Sequence, residues 1–171
     1  MNNPQVSRTR VITWEDPTEA VQKGRMVSGL EYLKALQSGE LPPPPISVLM
    51  GMWVTEVSEG RIVFAFEPAE YHYNPLGTVH GGVMATLLDS ALGCAVQSTL
   101  PVGTGYTTLE LKVNYLRPIT AKTGTLYCEG KIIYVGGRVA TAEGRLTDAQ
   151  GKLYAHGTTT CIVIRPSNPS V

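Results

Sequence analysis

A chain of 171 residues with 43% hydrophobic side chains is long enough to bury a core as one domain. Fourteen Lys and Arg balance fourteen Asp and Glu, which argues against nucleic acid or an anionic membrane as the main partner, since both select clustered cations. Cys94, Cys128 and Cys161 are scattered, with no Cys-x-x-Cys pair, so neither a zinc site nor a disulfide framework is expected; isolated thiols and the lack of a signal-peptide pattern make the cytoplasm the expected compartment.

Residues 1–26 carry Pro4, Trp14 and Pro17 without clean periodicity and read as an arm on the domain surface. Ser28-Gly-Leu-Glu31 has the form of a capping box. Leu30, Leu33 and Leu36 share one face after it and Gly39 supplies a stop, which predicts a short amphipathic helix over about 29–38. The prolines at 42–45 are expected to run extended as a spacer. Residues 1–45 are therefore set apart from a folded domain over 46–165 and a frayed tail over 166–171.

Within that domain, the apolar run 46–53 leads into 54–60, and 61–66 follows Gly60; two strands and a hairpin are predicted. Pro68 and the polar run 70–74 break the sheet pattern. His72, between two tyrosines, reads as a packing or surface residue.

The stretch 74–99 organises the chain. A turn-rich approach with Asn74, Pro75 and Gly77 reaches His80-Gly81-Gly82, and from Val83 to Val96 only Thr86, Asp89 and Ser90 are polar. A helix apolar nearly all round belongs in the middle of a domain, and this one is too short and interrupted to span a bilayer. Asp89 near its centre is the residue to explain, because carboxylates are seldom buried unless paired or functional; a catalytic acid or base is the expectation. Gly81 and Gly82 leave the free N–H groups at the helix start sterically open, a plausible place for a carbonyl or oxyanion. From Gly81 to Asp89 is about 12 Å at ~1.5 Å per residue. One helix therefore cannot polarise a carbonyl with its N-terminus and attack the same carbon with its Asp, whereas two copies related by a two-fold axis can.

Residues 106–116 alternate, with Leu109, Leu111, Val113 and Tyr115 expected on one face and Thr108, Glu110, Lys112 and Asn114 on the other. Further strands are predicted over 124–135, 138–148 and 152–164, joined by glycine turns, so successive strands are expected to be antiparallel neighbours. The order is strand, strand, helix, four strands: an α+β fold with one central helix on a curved antiparallel sheet. Gly136-Gly137-Arg138 reads either as a glycine hairpin with a solvated Arg or as a phosphate contact. Gly-x-Ser-x-Gly, His-Glu-x-x-His, Walker and Rossmann patterns are absent.

Asn74-Pro-Leu-Gly-Thr-Val-His80-Gly81-Gly82 followed by Asp89, with residues 107–118 continuing the likeness, resembles the hot-dog-fold acyl-CoA thioesterases of the phenylacetate-degradation (PaaI-like) branch. The likeness covers roughly residues 46–165. It implies a sheet wrapped around a central helix, homodimers with a continuous sheet, and hydrolysis of acyl-CoA. Whether dimers pair into tetramers is left open. Carried over by position, Asp89 resembles the nucleophile or general base, and the Gly81 N–H the donor to the thioester carbonyl. Asn74 resembles the group orienting carbonyl or water, His80 the positioner of the loop, and Thr108 the residue placing water. Gly82, Gly137 and Arg138 are the expected CoA contacts. CoA enters as part of the substrate, so no separate cofactor or metal is expected, and neither nucleic acid nor membrane is an expected partner. A hydratase or dehydratase using His80 with Asp89, and a non-catalytic acyl-CoA-binding protein, are the alternatives.

Overall fold

The computed structural model describes residues 7–165. The expected tail over 166–171 and the first six residues of the arm lie outside them. Three helices precede the sheet: α1 (Thr18–Gly24), α2 (Gly29–Ser38) and α3 (Pro45–Met50). Then follow β1 (Met52–Ser58), β2 (Arg61–Phe66), α4 (Gly81–Gln97), β3 (Gly105–Tyr115), β4 (Leu126–Val135), β5 (Val139–Asp148) and β6 (Leu153–Ile164). The six strands form one antiparallel sheet in the order β1-β2-β4-β5-β6-β3. Among the described residues, no helix is long and apolar enough to cross a membrane.

Helix α2 begins and ends where the sequence predicts. The Ser28 side chain accepts from Glu31 N–H, the Glu31 carboxylate accepts from Ser28 N–H, and Gly39 closes the helix at φ +79°. The N-terminal arm also holds α1, whose short pattern carries no periodic signal. Residues 46–50 are helical rather than the start of a strand. Pro45 takes the first helical position, where its missing N–H costs nothing, and Gly51 at φ +68° turns the chain into β1.

Helix α4 lies across the sheet and fills its concave side. Leu87, Leu88, Ala91, Leu92, Ala95 and Val96 are fully buried, and each large aliphatic among them stabilises the fold by roughly 1.5–3 kcal/mol. The close approach rests on glycines that the register aligns across three strands, Gly130 opposite Gly144 and Gly144 opposite Gly157. A Cβ on Gly130 would sit 2.2 Å from the Ala91 carbonyl oxygen, and one on Gly144 would sit 2.4 Å from Leu92 Cδ1. The helix therefore rests in a trough whose floor carries no side chain along this row of glycines.

Two expectations need correction. Strand β3 does not pair with β4, which follows it; it crosses to the far edge and pairs with β6. Nor is Asp89 buried: Thr86, Asp89 and Ser90 fall at i, i+3 and i+4 on the stripe of α4 turned away from the sheet, and Asp89 is exposed in the single protomer.

Candidate active site

The segment entering α4 is a closed loop held by its own side chains. Asn74 Oδ1 accepts from Leu76 N–H at 2.9 Å, from Thr78 N–H at 3.3 Å and from the Thr78 hydroxyl at 3.4 Å. Gly77 at φ +77° supplies the left-handed turn, and Asn74 N–H donates to Thr78 O. His80, extended at φ −61° and ψ 138°, is the N-cap: its Nδ1 accepts from Gly82 N–H at 2.8 Å. That leaves Gly81 N–H at the positive end of a 17-residue helix with no hydrogen-bond partner among the described residues. Gly81, Asn74, Thr78, Tyr115 and Arg117 line a shallow hollow of about 350 Å³.

Asp89 belongs to a different concavity. A β-bulge in β3, between Thr108 and Glu110, breaks the expected alternation. Leu109 is the extra residue and is 61% exposed, while Thr108 turns toward α4 and its hydroxyl donates to Asp89 Oδ1 at 2.9 Å. The bulge thus reverses the predicted face of Leu109 and aims Thr108 at the carboxylate. Asp89, Ser90, Cys94 and Tyr106 form one wall of a cavity of about 510 Å³ whose other walls come from α2, the proline spacer, α3, β1 and β2. Burial, with Asp89 nearby, pushes the Cys94 thiol up to about 12, so it stays protonated and unreactive at neutral pH. Burial also holds the Tyr106 phenol well above its ordinary value, leaving a neutral hydroxyl in the cavity.

In one protomer the structure joins Asp89 with Thr108, and Asn74 with Gly81, but keeps the two pairs in separate cavities. Gly82 has its N–H engaged by His80. Gly137 and Arg138 sit on the exposed turn between β4 and β5 and line neither cavity. His72 is 6% exposed, wedged against Phe66 and Tyr71. Its Nδ1 accepts from Ala69 N–H at 3.0 Å, its Nε2 has no hydrogen-bond partner among the described residues, and burial, followed by the nearby Arg10, holds it below its ordinary value. Among the described residues, no three His, Cys, Asp or Glu side chains cluster as a metal site requires.

Sequence reasoning passed over Tyr106, Arg117 and the cavity walls from α2 and the spacer. The amphipathic pattern of α2 was visible, but periodicity marks an apolar face without saying what it leaves open.

A family profile described as the thioesterase superfamily matches residues 76–155. A solved structure described as a proposed thioesterase related to phenylacetic acid degradation, from Ralstonia eutropha, is 30% identical. The match covers 77% of this chain and 98% of that one, with a TM-score of 0.69. A Streptococcus mutans protein solved bound to acetyl CoA is 26% identical over 66% of this chain and 90% of its own, with a TM-score of 0.59. Among curated proteins, a proposed esterase of Halobacterium salinarum is 37% identical over 92 residues, 51% of this chain and 59% of that protein. The chain spans about half the length of the curated relatives it matches.

Proposed function

The chain belongs to the thioesterase superfamily, and we propose that it hydrolyses acyl-CoA thioesters to the free acid and CoA at a site shared by two copies. The observation that carries this reading is the division of parts within one protomer. An unpartnered N–H stands at the start of α4, and a carboxylate held by Thr108 stands two turns along it, in another cavity. Strand β3, eleven residues long, lies at the free edge of the sheet beside Thr108. Such an edge is a template for pairing with a second chain. Pairing two β3 strands about a two-fold axis brings each α4 N-terminus toward the partner's carboxylate.

In this mechanism the thioester carbonyl oxygen accepts from Gly81 N–H, where the helix dipole favours the developing negative charge. The Asn74 oxygen is consumed by the loop, so only its amide N–H groups can reach carbonyl or water. The Asp89 oxygen left free by Thr108 either takes a proton from an attacking water or adds to the carbonyl carbon itself. In the first route water adds to the carbonyl carbon and the C–S bond breaks; in the second the C–S bond breaks to leave a mixed anhydride on Asp89, which water then cleaves to the acid and the free carboxylate. In both, CoA leaves as thiolate and takes up a proton. No separate cofactor enters this scheme. The hydratase alternative needs His80, whose Nδ1 caps α4, to act with Asp89 on the acyl chain, and its product, an enoyl thioester formed without release of CoA thiol, separates it from hydrolysis.

The test is spectrophotometric release of CoA thiol from acetyl-, octanoyl- and benzoyl-CoA by the native chain and by Asp89→Asn. The native protein is expected to release thiol, and the folded variant to lose about 100-fold or more in kcat, the low end for losing an acid–base group. Equal rates for the two proteins would remove Asp89 from the chemistry.

A further inference from the structure

Helix α2 is pinned rather than loosely attached. A Cβ on Gly29 would sit 1.8 Å from the Gln97 carbonyl oxygen, and Gly29 N–H donates to Leu100 O at 3.0 Å. Leu33 is 1% exposed, and Gln37 Nε2 donates to Thr55 O at 2.7 Å. The spacer follows on the same side: Leu41 N–H donates to Ala35 O at 3.1 Å, and Pro43 and Pro44 line the cavity with Leu36 and Ile46. The cavity at Asp89 is therefore preformed, about 510 Å³, within the range that holds small ligands. Its walls from α2, the spacer and α3 lie outside the residues that match the superfamily profile.

We infer that this N-terminal segment is the specificity wall of the enzyme, receiving an uncharged, apolar acyl group and refusing acyl groups with a second carboxylate. The inference rests on the proposed thioester hydrolysis, because it takes Asp89 to mark where the acyl carbonyl sits. Among the described residues, Asp89 is the sole charged side chain on the cavity wall, with no Lys, Arg or His lining it. A terminal carboxylate on the acyl group would be desolvated near a like charge without a counterion. Phe64, Met52 and Leu33 offer an apolar lining instead. Since Gly81 and Asp89 act from different protomers in the proposed site, the acyl group enters the cavity of the protomer that supplies Asp89.

The experiment measures kcat/KM of the full chain for acetyl-, octanoyl- and succinyl-CoA, alongside Leu36→Trp and Ile46→Trp. Each substitution adds bulk at the cavity wall and touches none of the proposed catalytic groups. Ile46 is 44% exposed, so its variant keeps the test decisive should Leu36→Trp fail to fold. Octanoyl-CoA is expected to be the best native substrate and succinyl-CoA the poorest. The filled variants are expected to lower the octanoyl-to-acetyl ratio of kcat/KM by about 10-fold or more, the scale of a hydrophobic-pocket mismatch. Native octanoyl-to-acetyl ratios in both folded variants, or efficient succinyl-CoA hydrolysis, would overturn the specificity wall and leave hydrolysis standing. The converse failure is also separable: no turnover of any thioester, with octanoyl-CoA binding that Leu36→Trp weakens, would unseat hydrolysis while sustaining the cavity as an acyl site.

Discussion

Gly81 offers a backbone N–H, which side-chain truncation cannot remove, but its position allows a clean deletion. It occupies the first helical residue, where proline is tolerated, and His80 before it already has the extended conformation that a following proline demands. The first added carbon would meet the Tyr115 ring at 3.3 Å, a contact that a few tenths of an ångström relieve. Gly81→Ala carries the same contact and keeps the N–H, so it serves as the control. Gly81→Pro is expected to lower kcat by about 100 to 1000-fold, the usual effect of losing one oxyanion donor, while Gly81→Ala stays within about tenfold of native. Equal activity in the two variants would show that this N–H does not polarise the substrate. At this scale the sequence was informative where chemistry and spacing coincide, as in the run from Asn74 to Gly82 and in Asp89. It was silent on Thr108's orientation, because a bulge shifts the pleat by one residue and no pattern of alternation records it.

Helix α4 and the three final strands were legible as elements because hydrophobic pattern and glycine turns are local signals. Their fit to one another was not. Gly130, Gly144 and Gly157 lie far apart in the chain and read singly as weak points in strands, yet the register stacks them into the trough that receives α4. The same distance problem hid the crossing of β3 to the sheet edge, since short turns suggest neighbours and the longer β3–β4 connection does not. The run 46–53 was misread for another reason: continuous apolarity carries no period, and a helix of six residues is too short to display one. The trough makes a direct prediction. Gly130→Ala drives a methyl into the Ala91 carbonyl and should cost at least about 3 kcal/mol, the upper end for overpacking. That corresponds to a fall in Tm of roughly 6–12 °C at ~2–4 °C per kcal/mol for a chain of this size. Calorimetry would check it, and an unchanged Tm would mean the helix is not seated on the glycines as described.

For the whole molecule, the proposed carbonyl donor and the proposed carboxylate sit on one helix, in separate cavities, at a spacing that no single substrate carbon can bridge. A pair of chains resolves this, and the unpaired β3 edge beside Thr108 indicates where they would meet. The most direct test co-expresses Gly81→Pro with Asp89→Asn under separate affinity tags and measures thioester hydrolysis by the mixed protein. Each variant alone is expected to be inactive. If the site is shared across a two-fold axis, random mixing makes about half the dimers heterodimers, each with one intact site, and about a quarter of native activity returns. No recovery in confirmed heterodimers would contradict the shared site and place both groups within one protomer's reaction.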